Sequence, residues 1–163
     1  MEVISGLTRW SAVVLTANIL ALLLCRTGEV SDQRMSRSSH SLDRRWIIND
    51  RGYANIIPSP GDIIYGLVFE LTASDERSLD NCESSTYKKL YIPVDLVPKN
   101  DAVNRRSVEA LIYVDVERKR ESKPVEEYIY RMNMGMRDAL KEGISDDYIK
   151  KYLRPFIPEL AEN

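Results

Sequence analysis

Two carboxylates stand three residues apart in Ser78-Leu79-Asp80-Asn81-Cys82-Glu83, at the end of a short predicted helix that leads into a strand. A buried or half-buried carboxylate beside Gly and Tyr is the smallest apparatus for moving a proton, because burial lifts its pKa toward neutrality. From residue types alone, the pair reads first as solvated acids at a helix end.

Other chemistries lack residues. His40 is the single histidine and the only one that could serve a Ser-His-Asp triad, and it sits in a polar run. Two Cys and one His cannot supply the four ligands of a classical zinc site, nor a disulfide framework. Lys plus Arg number 23 and Asp plus Glu 25, and the net charge of −2 lacks the basic footprint of a nucleic-acid binder. Lys/Arg and aromatics do not interleave as on a single-strand platform. Arg118-Lys119-Arg120 reads as a solvated turn.

These residues must be held by one domain, the natural size for 163 residues of which 44% are hydrophobic. Trp46-Ile47-Ile48 is a short apolar run ended by the turn signal Asn49-Asp50-Arg51-Gly52. Tyr53 to Ile57 reads as a second strand, and Pro58-Ser-Pro-Gly-Asp62 as a break. Ile63 to Leu71 is a β-branched and aromatic strand interrupted by Gly66. Ser74 is placed to cap a short helix. Tyr87 to Leu96 and Ser107 to Glu117 read as further strands, with a polar loop over 98–106.

The period then changes. Val125, Ile129, Met132, Met136 and Leu140 form a helical stripe, with Pro124 near its start and Gly143 past its end. Ser145 caps a second helix with Ile149, Leu153 and Tyr152 on its apolar face, ended by Pro155 and Pro158. Strands followed by helices predict an α+β fold: a mixed, mainly antiparallel sheet or partial barrel with a C-terminal helix pair.

The first 45 residues differ from the rest. Trp10 to Cys25 carries no charge, yet sixteen residues fall short of the roughly 20 that cross a bilayer. Three readings stay open: a signal or anchor, a buried strand or helix, and a segment foreign to the domain. Arg26 to Arg45 is polar, rich in Ser and Arg, and reads as a linker. The expected division is therefore 1–45, apolar segment plus linker, and 46–160, the domain. Cysteine usage does not support secretion. The cytoplasm is the expected compartment, with membrane association or secretion through residues 10–25 as the alternative. No oligomeric state is readable.

The stretch SPGDIIYGLVFELTASDERSLDNCE resembles the γ-glutamylcyclotransferase family. The resemblance rests on Pro60-Gly61-Asp62, Tyr65-Gly66-Leu67-Val68 and Leu79-Asp80-x-x-Glu83. Trp46 to Ile56 is similar to the strand pair that precedes these motifs, Val108 to Asp115 to a later strand, and Pro124 to Pro158 to the closing helix pair. The likeness spans about two thirds of the chain, Trp46 to Pro158.

That resemblance implies a reaction in which the α-amine of a γ-glutamyl amide attacks its own δ-carbonyl, giving 5-oxoproline and a released amine or amino acid. It assigns the general acid/base role to Glu83 and leaves Asp80 to cap or orient. It makes Tyr128 a substrate contact. Tyr113 and Tyr87 are candidates to line the cavity, core packing with a satisfied hydroxyl being the other reading. The implied partner is a small γ-glutamyl substrate, with no metal or organic cofactor. Two departures stand out. The family's Tyr-Gly-Ser-Asn loop has no match between Met1 and Arg45, and Ser84-Ser85 follow Glu83 where a Gly is usual. A domain incomplete at its N-terminus, without a central strand and with impaired catalysis, is therefore expected. The alternative function is a module that binds a γ-glutamyl ligand or a protein.

Overall fold

The computed structural model describes residues 10–14, 37–70, 73–82, 85–96 and 106–160. In chain order they form β1 (Trp10–Val14), β2 (Arg37–Ile48), β3 (Ala54–Glu70), α1 (Ala73–Cys82), β4 (Tyr87–Leu96), β5 (Arg106–Asp115), α2 (Glu126–Lys141) and α3 (Asp146–Tyr148). A π-helical turn, Ile149–Leu153, continues α3. The strands close into a barrel in the order β1-β3-β2-β4-β5. Its seams are antiparallel except for a parallel pairing of β1 with β5 at Trp10 and Ala110. This is the α+β, mainly antiparallel architecture that the order of periods predicts.

Two expectations about the N-terminal part need correction. The central strand expected to be missing is present, because Trp10–Val14 pairs with Gly66–Glu70. The rest of the apolar run, to Cys25, lies outside the described residues. The end of the supposed linker is also a strand. Arg37 to Ser41 pairs with Val68 to Ile64, and β2 runs through the expected boundary at Trp46. The ladder supplied by β3, not the polar side chains of the run, makes this segment extended. Among the described residues, no helix is long and apolar enough to cross a membrane.

The Pro58–Asp62 break is absorbed within β3. The pairing of β2 with β3 shifts between Leu42, opposite Ile63, and Arg44, opposite Pro58. The prolines therefore sit at or beside an interruption of the ladder, where few N–H groups are needed. Asp43 takes a positive φ of 57° at the same place, and its carboxylate accepts the Gly61 N–H at 2.9 Å. Asp is among the few side chains that tolerate this conformation.

Alternation divides β4 and β5 into two faces. Ile92, Val94, Leu96, Ala110, Ile112 and Val114 join the main core with residues of α2 and the C-terminal segment. Leu111 and Tyr113 point the other way and pack with Tyr87 and Leu79 of α1 in a second cluster. The register places Lys89 opposite Tyr113 and Tyr87 opposite Asp115 on that second face. α1 already includes Ser74, so that residue does not precede the helix as its cap.

The stripe of α2 faces the core at four of its five expected positions: Met132 and Met136 are buried, and Val125 and Ile129 pack against the core partly buried. Its buried residues are Tyr128, Met132, Asn133, Gly135, Met136 and Ala139, whereas Leu140 is 43% exposed. Val125 occupies the N-cap position rather than the helix itself. Periodicity found the helix and most of its buried side, and missed Tyr128 and Ala139, which bury as fully as Ile and Leu do. Ser145 caps α3 as expected, its Oγ accepting the Tyr148 N–H at 3.2 Å. Ile149 and Leu153 are buried in the turn that follows.

Candidate active site

Leu79, 2% exposed, anchors the last turns of α1 on Leu111 and Tyr113. This places Asp80 at the rim of the β4–β5 face. The Tyr113 hydroxyl donates to Asp80 Oδ1 at 2.6 Å, and Lys89 Nζ donates to Asp80 Oδ2 at 2.7 Å. Lys89 also reaches Glu76 Oε1 at 3.0 Å, one helical turn earlier on α1. Partial burial works against ionisation of Asp80, but hydrogen bonds from Lys89 and Tyr113 and the charge of Lys89 outweigh it. The carboxyl is held below its ordinary value. The same partners, Asp80 and Glu76, overcome the burial of Lys89 and lift its ammonium above the usual lysine range.

Asp80 is thereby a fixed anion. A group that carries protons near neutral pH needs the opposite shift. The arrangement suits a strut that holds the end of α1 against the sheet. Glu83, the residue after α1, lies outside the described residues.

The β2–β3 turn gathers the remaining candidates. Asn49 Oδ1 accepts the Arg51 N–H at 3.1 Å, and Gly52 closes the turn at a φ of 84°. From this turn Arg51 Nη1 donates to Thr86 Oγ1 at 2.9 Å, just before β4. The Tyr87 hydroxyl donates to the Ala54 carbonyl at 3.0 Å. On the other side, the Val125 N–H donates to the Gly52 carbonyl at 3.1 Å, which seats the start of α2. Tyr53 meets Tyr128 edge-on with ring centroids 5.3 Å apart, and its hydroxyl donates to Glu127 Oε1 at 3.2 Å. One turn therefore holds both the entry to β4, three to four residues after Glu83, and the first turn of α2.

Tyr87 and Tyr113 share the cluster under α1, with Tyr113 only 8% exposed. Tyr128 is fully buried in the main core against Tyr53, whereas Tyr87 and Tyr113 lie in the other cluster, on the opposite face of β4 and β5, so the fold does not bring the three tyrosines together. The Arg131 guanidinium lies 5.6 Å from the Tyr128 ring centroid.

Sequence reasoning missed a polar knot beneath this turn. The buried Asp115 carboxylate accepts from the Glu117 and Arg118 N–H groups, both at 3.1 Å, and from Arg118 Nη1 at 3.2 Å. Asn49 Nδ2 reaches it at 3.4 Å. Asn55 exchanges bonds with the Asp115 backbone, its Nδ2 donating to the carbonyl at 2.8 Å and its Oδ1 accepting the N–H at 2.9 Å. The signal was an Asn between the apolar Ala54 and Ile56, where a buried amide must find partners.

The Pro60-Gly61-Asp62 motif has a different task. Asp62 Oδ2 accepts from Ser59 Oγ at 2.7 Å, and Oδ1 accepts from the Tyr152 hydroxyl at 2.9 Å. These bonds, Ser59 first, hold its carboxyl below the ordinary range. They tie β3 to the π-helical turn near the C-terminus. Among the described residues, no group of three or more His, Cys, Asp or Glu is placed to hold a metal ion.

The model of the AIG2-like family matches residues 63–152, a little over half of the chain. No curated protein matches by sequence. Solved structures match in fold. One described as gamma-glutamyl cyclotransferase has a TM-score of 0.64 at 18% identity, over 95% of this chain and 91% of that one. YkqA from Bacillus subtilis has a TM-score of 0.66 at 13% identity, over 98% of this chain and 57% of that one. A gamma-glutamyl cyclotransferase specific to glutathione, from yeast, has a TM-score of 0.53 at 12% identity, over 88% and 93%. At these identities the likeness is one of fold.

Proposed function

Starting from a chain that belongs to the AIG2-like family, we propose that it is a γ-glutamylcyclotransferase. The substrate is a γ-glutamyl amide. Its α-nitrogen forms a bond to the δ-carbon, the bond from that carbon to the amide nitrogen breaks, and 5-oxoproline and an amine or amino acid leave. An α-amino group with a pKa near roughly 8 is mostly protonated at neutral pH. A base must take its proton and then supply one to the departing nitrogen. That exchange is worth about 10²–10⁴ in rate. In this proposal the carrier is Glu83, and Tyr128, Tyr113 and Tyr87 contact the substrate.

The observation that supports the reading is the β2–β3 turn. It fastens Thr86 and Tyr87, just beyond Glu83, and the Gly52–Val125 bond at the base of the helix that carries Tyr128. Asp80 is engaged by Tyr113 and Lys89 and held ionised, which leaves Glu83 as the motif's carboxylate for proton transfer. Two fold relatives carry the gamma-glutamyl cyclotransferase description. The proposed compartment is the cytoplasm, and the proposed domain takes in β1 and all of β2 besides residues 46–160.

The test is release of 5-oxoproline from γ-glutamyl-alanine and from glutathione by purified protein. The wild type produces it and Glu83→Gln, equally folded, does not. A wild type that makes no more 5-oxoproline than Glu83→Gln overturns the reading.

A second reading has one observation in its favour. Met1 to Arg45 contains no Tyr-Gly-Ser-Asn sequence. Loss of a single oxyanion donor costs around 10²–10³ in turnover. The chain would then bind a γ-glutamyl compound, or a protein, without turning it over. Saturable binding of γ-glutamyl-alanine with no 5-oxoproline distinguishes this reading from the first.

A further inference from the structure

The attachment of α1 to the sheet is mostly polar. Among the described residues Leu79 is its one buried side chain. The cluster that Leu79 joins, with Leu111, Tyr113 and Tyr87, lies on the face of β4 and β5 turned away from the main core. Two of the polar ties converge on one atom. Lys89 Nζ donates to Asp80 Oδ2 at 2.7 Å and to Glu76 Oε1 at 3.0 Å, one helical turn apart on α1. The Lys89 side chain is 32% exposed, so water reaches these bonds. The Tyr113 hydroxyl adds a link to Asp80 Oδ1.

A helix held mainly by charge leaves its sheet at less cost than one held by packing. Partly exposed ion pairs are weak and exchange readily for water. Apolar burial is the stronger tie, and here it is one leucine on a cluster separate from the core. Detachment of α1 therefore leaves the barrel intact, with α2 still packed on the other face of β4 and β5. That is the condition for opening as a local unit. The chain beyond α1 stays in place, because Arg51 bonds Thr86 and the Tyr87 hydroxyl bonds the Ala54 carbonyl independently of the helix. With α1 down, Tyr113 is 8% exposed and its hydroxyl is committed to Asp80. A substrate meets that ring and its hydroxyl only when α1 lifts.

We propose that α1 is a movable cover over Tyr87 and Tyr113, latched by Lys89, and that its lifting admits the substrate to them. The identity of the substrate rests on the cyclotransferase reading above, whereas the movement of α1 stands on the packing alone. Solution conditions act through the latch. Salt screens Lys89 from Asp80 and Glu76, and so loosens the cover without touching Leu79. Because the closed form does not admit substrate, the apparent affinity is the intrinsic one reduced by the fraction open.

Hydrogen–deuterium exchange of wild type and Lys89→Met at low and high salt, read on peptides from α1, β5 and α2, tests the movement. The substitution keeps the apolar stem and removes the ammonium. The α1 amides of Lys89→Met are expected to exchange roughly 3–10-fold faster, the value of charged hydrogen bonds that are partly exposed, with β5 and α2 unchanged. High salt accelerates α1 in wild type and adds little in the variant. In the 5-oxoproline assay the KM of Lys89→Met for γ-glutamyl-alanine falls by up to the same factor, with kcat no higher. Damage to the fold would not lower KM. Should Lys89→Met not fold, the salt response of wild type carries the same test without a substitution. Amides of α1 that exchange no faster in Lys89→Met and at high salt, or that accelerate together with β5 and α2, overturn the movement. Faster α1 exchange with an unchanged or raised KM overturns the role in admission. A wild type that makes no 5-oxoproline overturns the cyclotransferase reading and the admission of its substrate, whereas the exchange data alone uphold or overturn the movement.

Discussion

The Tyr113 hydroxyl donates to Asp80 Oδ1 at 2.6 Å, across 33 residues of chain. This bond joins the last turns of α1 to the outward face of β5. Lys89 holds the second oxygen of the same carboxylate. The end of α1, which leads directly to Glu83 in sequence, is thus tied to two adjacent strands, β4 and β5.

Tyr113→Phe removes one of these supports and leaves the ring in place. The lost hydrogen bond is worth about 1 kcal/mol. A small fall in the urea midpoint with an unchanged slope is expected. If α1 positions Glu83, 5-oxoproline formation falls further than stability does. An unchanged urea midpoint would show that the bond contributes nothing.

Acid should loosen the same contact. Against partial burial, the hydrogen bonds from Lys89 and Tyr113 hold the Asp80 carboxyl below its ordinary value in the folded state, so the folded chain binds its proton less readily than the unfolded chain. The stabilisation is present above the unfolded value and is lost as pH falls through the lower folded value. Wild type should therefore lose stability below about pH 4 more steeply than Asp80→Asn does. Urea titrations at several pH values between 5 and 2.5 measure this, and parallel curves for the two proteins refute it.

Gly52 meets α2 too closely to accept a side chain. A Cβ there would lie 2.6 Å from Val125 Cγ1 and 2.8 Å from the Val125 backbone nitrogen, at a φ of +84°. The backbone conformation alone costs a non-glycine residue about 1–2 kcal/mol, and displacement of Val125 adds to it. Gly52→Ala should lower the Tm by several degrees. Gly61→Ala serves as the control, because its φ is similar at +83° but nothing lies within 4 Å of the added Cβ. Equal effects at the two positions would mean that contact with α2 is irrelevant.

Asp115 is buried completely and accepts from backbone, Asn and Arg donors. Its removal leaves those donors unmatched, at a cost of roughly 3–5 kcal/mol. Asp115→Ala is expected to be among the most destabilising single changes in the barrel, read from the denaturant midpoint. A loss below about 1 kcal/mol would show that water replaces the carboxylate at little cost.

Local signals in the chain were sufficient for several elements. The β-branched and aromatic residues of Tyr87 to Leu96, and of Ser107 to Glu117 with its partial alternation, declare two strands. Asn49 to Gly52 announces the turn, and Ser145 announces a helix start. The spacing of Asp80 and Glu83 already marks a helix end bearing two acids. Each of these signals depends on neighbours within a few residues, which is the range over which period and capping operate.

What only the folded chain decided concerns partners far apart in sequence. Arg37 to Ser41 looks like a linker until β3 offers its ladder, and Pro58 to Asp62 looks like a break until Asp43 bulges opposite it. Asp80 and Glu83 look alike in sequence, yet Asp80 is committed as a strut because Tyr113 and Lys89 close on it. The burial of Tyr128 at the start of α2 depends on Gly52 and Tyr53, which meet Val125 and Tyr128. Residue type and spacing encode which side of an element prefers burial. Which distant hydroxyl, ammonium or carbonyl completes a given polar group is set only when the barrel closes.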